Sequence, residues 1–271
     1  MNGKDIRLSR LFSQGQSPVI VAIDHGQTFG SLEGLTDFTA AAERLAEADG
    51  VLLAPQMFRF TGSLFRVRGA PMAIARLTWN TRLCEPWGYH EAQVAQAMST
   101  EYALALGADA IMAGLILQTG SEWRDTENVR IFSQIAEQCY RLGLPLIGEV
   151  FPAGEAAPGE ESFHDYIKKG CRIISELGAD AIKTFYTGPR FHEVVEGTPV
   201  PIFTLGAQKT ERPIQALELA ETAVKAGAQG VVFGRNVFQA EDPGQFLQAL
   251  KAVVKERVSP TDAARAFGLE Q

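Results

Sequence analysis

Cysteine is scarce in this chain. There are three, Cys84, Cys139 and Cys171, an odd number with no Cys-x-x-Cys spacing, so neither a disulfide framework nor a cysteine-rich metal site is indicated and all three read as ordinary thiols. Basic charge is also short: 25 Lys and Arg against 32 Asp and Glu leave a net charge of −7, which argues against a nonspecific nucleic-acid or anionic-membrane surface while allowing a local basic pocket for a small anion. Long apolar runs are missing. Stretches such as 50–55 and 230–234 fall far short of the roughly 18 to 20 residues that cross a bilayer. The first ten residues carry charges where a secretory signal would have its apolar core, and a cytoplasmic location is expected. The four histidines, His25, His90, His164 and His192, show no HExxH or short paired spacing, so no metal is expected. No glycine-rich dinucleotide or P-loop pattern follows any candidate strand, and no cofactor is expected.

What the chain does have is core material, with 46% hydrophobic and 21% charged residues, and a repeating order of elements. Eight short apolar runs begin at Pro18, Gly50, Pro71, Ala108, Pro145, Ala179, Pro201 and Gly230. Their near-continuous hydrophobicity suits parallel strands buried on both faces. Amphipathic helices are expected between most of them, over 37–48, 90–106, 128–142, 162–177, 211–226 and 243–258, with weaker helical period at 59–68 and 189–196. Leu106-Gly107-Ala108-Asp109, Leu177-Gly178-Ala179-Asp180 and Ala226-Gly227-Ala228-Gln229 each place glycine where a helix end needs a left-handed residue, then enter a strand at once. A repeated joint implies a repeated βα unit. Eight units over about 250 residues is the arithmetic of a (β/α)8 TIM barrel. The expected architecture is a single α/β barrel over 1–271, with a short helix at 5–12 capping its N-terminal mouth.

In such a barrel the active site forms at the C-terminal ends of the strands. Lys183, in Ala181-Ile182-Lys183-Thr184-Phe185, sits at the end of a strand expected to be buried. Burying a lysine is costly unless it is paired or shifted toward neutrality, and a desolvated lysine is the nucleophile for imine formation with a carbonyl. The alternatives are pairing with a core carboxylate, or snorkelling outward at the rim. Asp24 and Glu149 end two other strands, where one carboxylate can hold the lysine's charge and another, if burial leaves it neutral, can move protons. His25, beside Asp24, is a candidate for hydrogen bonding to substrate. Gly206-Ala207-Gln208-Lys209-Thr210 and Gly234-Arg235-Asn236 offer small residues whose N–H groups can approach an anion, plus two cations, Lys209 and Arg235, where barrels often bind phosphate.

Together these motifs, with Ile6-Arg7-Leu8-Ser9-Arg10-Leu11-Phe12 and Val21-Ala22-Ile23-Asp24-His25-Gly26, resemble the DeoC/LacD-type class I aldolases, especially the archaeal-type class I fructose-1,6-bisphosphate aldolases. The resemblance covers nearly the whole chain. It implies a metal-independent, homo-oligomeric barrel enzyme acting on a phosphorylated keto sugar such as fructose- or tagatose-bisphosphate. Lys183 would be the Schiff-base residue, Asp24 its partner, and Gly206, Lys209, Gly234 and Arg235 the phosphate site. At the end of the fifth strand the fructose-bisphosphate aldolases carry a proton-transferring tyrosine where this sequence has Phe151. Glu149, two residues earlier and so on the same side of a regular strand, becomes the candidate acid/base, as in tagatose-bisphosphate-type relatives. Related families also include a heptulosonate synthase using transaldol chemistry and a thiolase acting on a phosphorylated diketone, so transfer chemistry stands as the alternative. A non-catalytic sugar-phosphate-binding protein is a remoter one.

Overall fold

A computed structural model describes residues 2–12, 16–84, 87–89, 91–154 and 160–269. Its strands are β1 (Val19–Ala22), β2 (Gly50–Leu53), β3 (Met72–Arg76), β4 (Thr78–Asn80), β5 (Val94–Gln96), β6 (Ala110–Leu117), β7 (Leu146–Pro152), β8 (Ala181–Thr184), β9 (Ile202–Leu205) and β10 (Gly230–Phe233). All but β4 and β5 close into one parallel barrel in the order β1-β10-β9-β8-β7-β6-β3-β2. The eight expected runs are these eight barrel strands, and the fold is a TIM barrel. The helices are α1 (Gly3–Leu11), α2 (Gly26–Phe29), α3 (Phe38–Glu43), α4 (Thr100–Ala105), α5 (Glu122–Leu142), α6 (Glu161–Glu176), α7 (Phe191–Glu196), α8 (Pro213–Lys225), α9 (Arg235–Phe238), α10 (Pro243–Glu256) and α11 (Pro260–Ala266). Among the described residues no helix is long and apolar enough to cross a membrane.

The repeated glycine joint works as its sequence implies. Gly107, Gly178 and Gly227 have φ of 103°, 105° and 105°, which an L side chain rarely adopts. The polar residue just after each joint then stitches neighbouring strands at the lower rim. Asp109 accepts the Ala73 N–H at 3.1 Å, Asp180 that of Leu146 at 2.8 Å, and Gln229 that of Ile202 at 2.7 Å. Asp49, ahead of β2, does the same for Val19 at 2.7 Å.

Strand alternation sorts the apolar residues into two cores. Val19, Val21, Val51, Leu53, Ala73 and Ala75 face the helices, whereas Ile20, Leu52, Met72, Ile74, Met112, Ile147, Ala181 and Phe203 fill the barrel interior. Helix α1 closes the N-terminal mouth, as expected. Asn2 caps it by accepting from the Lys4 and Asp5 N–H groups at 2.9 and 3.1 Å, Leu8, Leu11 and Phe12 pack on the interior core, and Arg7 donates to the Gly143 carbonyl at 2.8 Å.

Two expected helices fall short: 59–68 holds no α-helix, only the end of the 3-10 turn Pro55–Phe60, and the helix expected over 90–106 is cut down to its last part. The stretch 90–106 contains β5 and only the short α4, because Val94-Ala95-Gln96 alternates buried, exposed and half-buried and pairs antiparallel with β4. The buried Asn128 side chain holds this hairpin, accepting the Val94 N–H at 3.0 Å and donating to the Ala92 and Ile116 carbonyls at 3.1 and 2.9 Å. A tertiary pairing overrides the local helical pattern. His90 lies outside the described residues. The hairpin extends from the top of β3 and brings the 3-10 turn Thr81–Leu83 over the barrel's C-terminal mouth.

Leu11 is 2% exposed in the interior core. Leu11→Ala is expected to lower unfolding free energy by about 2–5 kcal/mol in urea titration, with activity unchanged because the cavity lies at the opposite mouth.

Candidate active site

Two residues above the last interior apolar side chain, three barrel strands and the segment just after β1 each carry a charge. Asp24 follows Ala22, Arg76 follows Ile74, Glu149 follows Ile147, and Lys183 follows Ala181. The period of 2 turns all four inward, and their exposures are 6%, 3%, 1% and 7%. They form a chain of ion pairs. Lys183 Nζ lies 2.5 Å from Glu149 Oε1, Arg76 Nη1 donates to Glu149 Oε2 at 2.6 Å, and Arg76 Nε donates to Asp24 Oδ2. The remaining Arg76 nitrogen meets Met112 Sδ at 3.5 Å. The short Lys183–Glu149 contact follows from strand register, since Glu149 of β7 is paired with Lys183 of β8.

Two expectations are corrected here. The ion-pair partner of Lys183 is Glu149, and Asp24 pairs with Arg76 instead. Nor is Glu149 neutralised by its burial. Desolvation pushes its carboxyl up, but the Arg76 guanidinium and Lys183 ammonium bonded to it outweigh that and hold it at about 2. Asp24 is likewise pushed up by burial yet held below its usual range, chiefly by Arg76 and then by Lys183 and His25. Arg76, between the two carboxylates, is raised despite its burial.

The cluster floors a cavity of about 430 Å³ at the C-terminal mouth. On its β9–β10 side stand Gly206, Ala207, Gln208, Gly234 and Arg235, with Arg235 Nη2 donating to the Ala207 carbonyl at 3.1 Å and so tying the two loops together. Both glycines are required by packing. A Cβ on Gly206 would lie 2.7 Å from the Phe233 ring, and one on Gly234 would lie 2.5 Å from His25 Cε1. Asn236 also braces the loop after β9, donating to the Gly206 and Gln208 carbonyls at 2.9 and 3.0 Å. His25 lines the cavity with Nδ1 3.6 Å from Asp24 Oδ1, its ring edge-on to Phe238. Burial, with Lys183, Arg235 and Arg76 nearby, outweighs the pull of Asp24 and lowers His25 to about 4, so it is neutral at pH 7. Lys209 does not join this wall, because its Nζ is tied to the Gln239 carbonyl at 2.7 Å. Phe151 does line the cavity on the same side as Glu149, as alternation requires.

Other candidates lie elsewhere. His164 is buried against Thr187 Oγ1 at 2.8 Å, and His192 is bonded to the Pro189 carbonyl at 3.2 Å. The three cysteines are free and buried. Two charged residues of the cavity lining were not expected: Arg76, and Arg82 on the turn after β4. Arg76 had a sequence signal, a charge continuing the Met72-Ala73-Ile74-Ala75 alternation. Arg82 had none, since only the hairpin brings it to the mouth.

The model of the DeoC/LacD family aldolases matches residues 18–240. The chain belongs to the DeoC/LacD aldolase family. It is a class I aldolase-family enzyme. An uncharacterised aldolase of Saccharolobus solfataricus is 31% identical over 98% of this chain and 99% of its own length. The 2-amino-3,7-dideoxy-D-threo-hept-6-ulosonate synthase of Halobacterium salinarum is 31% identical over 98% and 97%. Among solved structures, a Schiff-base-forming fructose-1,6-bisphosphate aldolase studied through its reaction intermediates is 27% identical with a TM-score of 0.76, covering 93% of this chain and 100% of that one. The relatives of this DeoC/LacD chain thus carry different substrate names on one fold.

The shifted groups give the fold two acid-sensitive windows. His25 has a depressed folded value, so its contribution is complete above its ordinary 6.5 and is lost as pH falls through about 4. That of Glu149 is complete above its ordinary 4.5 and is lost toward about 2. Urea midpoints measured from pH 7 to pH 3 are expected to fall in both windows, with His25→Asn flattening only the upper one and Glu149→Gln only the lower.

Proposed function

We propose that this enzyme makes or breaks the bond between the α and β carbons of a phosphorylated ketose, through an imine on Lys183. The observation that carries the reading is the buried Lys183, its Nζ 2.5 Å from Glu149 and facing the cavity. Glu149 accepts a proton from Lys183, and the freed amine adds to the substrate carbonyl to give a carbinolamine. Loss of water gives the iminium, whose positive charge replaces that of the ammonium beside Glu149. In the cleavage direction Glu149 takes the proton of the hydroxyl on the far carbon of the bond that breaks, and that oxygen becomes the aldehyde oxygen. The aldehyde departs, the enamine left on Lys183 is protonated, and one water hydrolyses the iminium. Phe151 has no proton to give, which leaves Glu149 as the titratable group on that side of the lysine. Arg76 positions both carboxylates and keeps them ionised, and Asp24 adds a second negative charge near Lys183 without pairing with it. The β9–β10 loops, with Arg235 and the backbone at Gly206 and Gly234, are the phosphate side.

Transfer to an acceptor is a second reading, favoured by Phe151 standing where the cleaving enzymes this chain resembles use a tyrosine. It uses the same imine and differs only in whether the enamine meets a proton or a second substrate.

Borohydride with dihydroxyacetone phosphate, followed by peptide mass mapping, is expected to label Lys183. Labelling elsewhere together with full activity in Lys183→Ala rejects the reading. In Glu149→Gln turnover is expected to fall by about 10²- to 10⁴-fold, the span of general acid–base catalysis. A loss of less than about threefold moves the proton to another carrier. Arg235→Ala is expected to weaken binding of a phosphorylated ligand by roughly ten- to a hundredfold, the worth of a charge-assisted contact, and to weaken an unphosphorylated analogue less when both are followed by calorimetry.

A further inference from the structure

β7 and β8 lie side by side with Glu149 opposite Lys183. Two residues further along the chain from each, Phe151 on β7 and Phe185 just past the end of β8 stand with ring centroids 5.1 Å apart at 76°. Phe185 in turn meets Phe163 at 5.4 Å and 75°. All three rings and Pro152 line the cavity. A layer of aromatic carbon therefore sits directly above the reacting pair on this side, and its side chains offer a substrate neither a hydroxyl, an amide nor a charge. The β9–β10 side, with Gln208, Arg235 and the glycine backbones, is polar. Arg82 reaches the cavity from the turn after β4, where its guanidinium meets the Gly154 carbonyl at 3.5 Å beyond the end of β7.

We infer that the arm of the substrate lying against β7 and β8, beyond the carbon–carbon bond made or broken, is uncharged and apolar. The aldehyde partner is then an aryl or branched aliphatic aldehyde in place of a sugar phosphate. This rests on the imine reading above. A phosphate laid on the rings themselves would lose water without gaining a donor there, since the Arg82 guanidinium stands beyond them at the Gly154 carbonyl, and the negative faces of the rings would oppose it. An apolar arm gains from the same burial. In the synthetic direction, the carbon beside the iminium gives a proton to Glu149 and the resulting enamine carbon bonds to the aldehyde carbon. The aldehyde oxygen takes the proton back from Glu149, and one water hydrolyses the iminium to release product and the lysine amine. Nothing is oxidised or reduced.

The test offers the full-length enzyme dihydroxyacetone phosphate as donor with isobutyraldehyde, benzaldehyde or D-glyceraldehyde 3-phosphate in separate reactions. Donor loss and product mass are read, and Lys183 labelling by borohydride is followed in parallel. The expected kcat/KM for the better apolar aldehyde exceeds that for glyceraldehyde 3-phosphate by roughly tenfold or more, the discrimination an apolar pocket supplies. Phe151→Arg is expected to narrow or reverse that ratio. If that variant folds poorly, Phe151→Gln is expected to lower use of the apolar aldehydes relative to the phosphorylated one. Preference for glyceraldehyde 3-phosphate with Lys183 labelled overturns the inference and leaves the imine reading standing. Absence of label on Lys183 overturns both.

Discussion

Arg76 is the side chain on which the functional end of this barrel depends. Its guanidinium spans from Asp24 on the segment after β1 to Glu149 on β7, and Glu149 in turn holds Lys183 on β8. Two carboxylates and two cations thus share one dry floor. A buried carboxylate is tolerated only when paired, and removing one partner of a buried pair typically costs about 3–5 kcal/mol. Arg76 serves two carboxylates at once, so its loss would leave Asp24 unpaired and Glu149 with Lys183 alone. A lysine could not replace it, because a single ammonium lacks the planar fork that directs separate N–H groups at two acceptors.

That floor also decides what the carboxylates can do. Burial alone would push Glu149 toward the neutral form, and the neighbouring cations reverse the direction. It therefore rests ionised, and a proton placed on it is readily lost. Asp24 makes its ion pair with the guanidinium and reaches the lysine only as a nearby negative charge. Above the floor the cavity is divided by strand number. β9 and β10 contribute backbone and Arg235, while β7 and β8 contribute phenyl rings. The polar half is held in place by close packing. The Phe233 ring lies where a side chain on Gly206 would go, and His25 lies where one on Gly234 would go.

Much of this was legible before the fold. The eight strands, the three glycine joints and the N-terminal plug follow from periodicity and backbone preference, which are local properties. Lys183 stood out because a charge at the end of an apolar run is expensive wherever the run is buried. Arg76 carries the same signal on β3, as the charge that continues the Met72-Ala73-Ile74-Ala75 alternation. The hairpin β4–β5 was not legible, since its pattern reads as helix until Thr78–Asn80 and the Asn128 side chain are brought beside it. Lys209 looked like a phosphate ligand from its glycine-bearing loop, but the chain turns it onto the Gln239 carbonyl.

The sequence by itself determined the kind of barrel, which residues lie at the strand ends and which of them carry charge, because alternation and capping act over a few residues. Only the tertiary structure decided who pairs with whom. Lys183 meets Glu149 because β7 and β8 are neighbours in a particular register, and Asp24 meets Arg76 because closure of the barrel brings β1 and β3 to opposite sides of β2. Partnerships between residues 52, 73 and 34 positions apart depend on how the strands close, and ionisation follows the partnership.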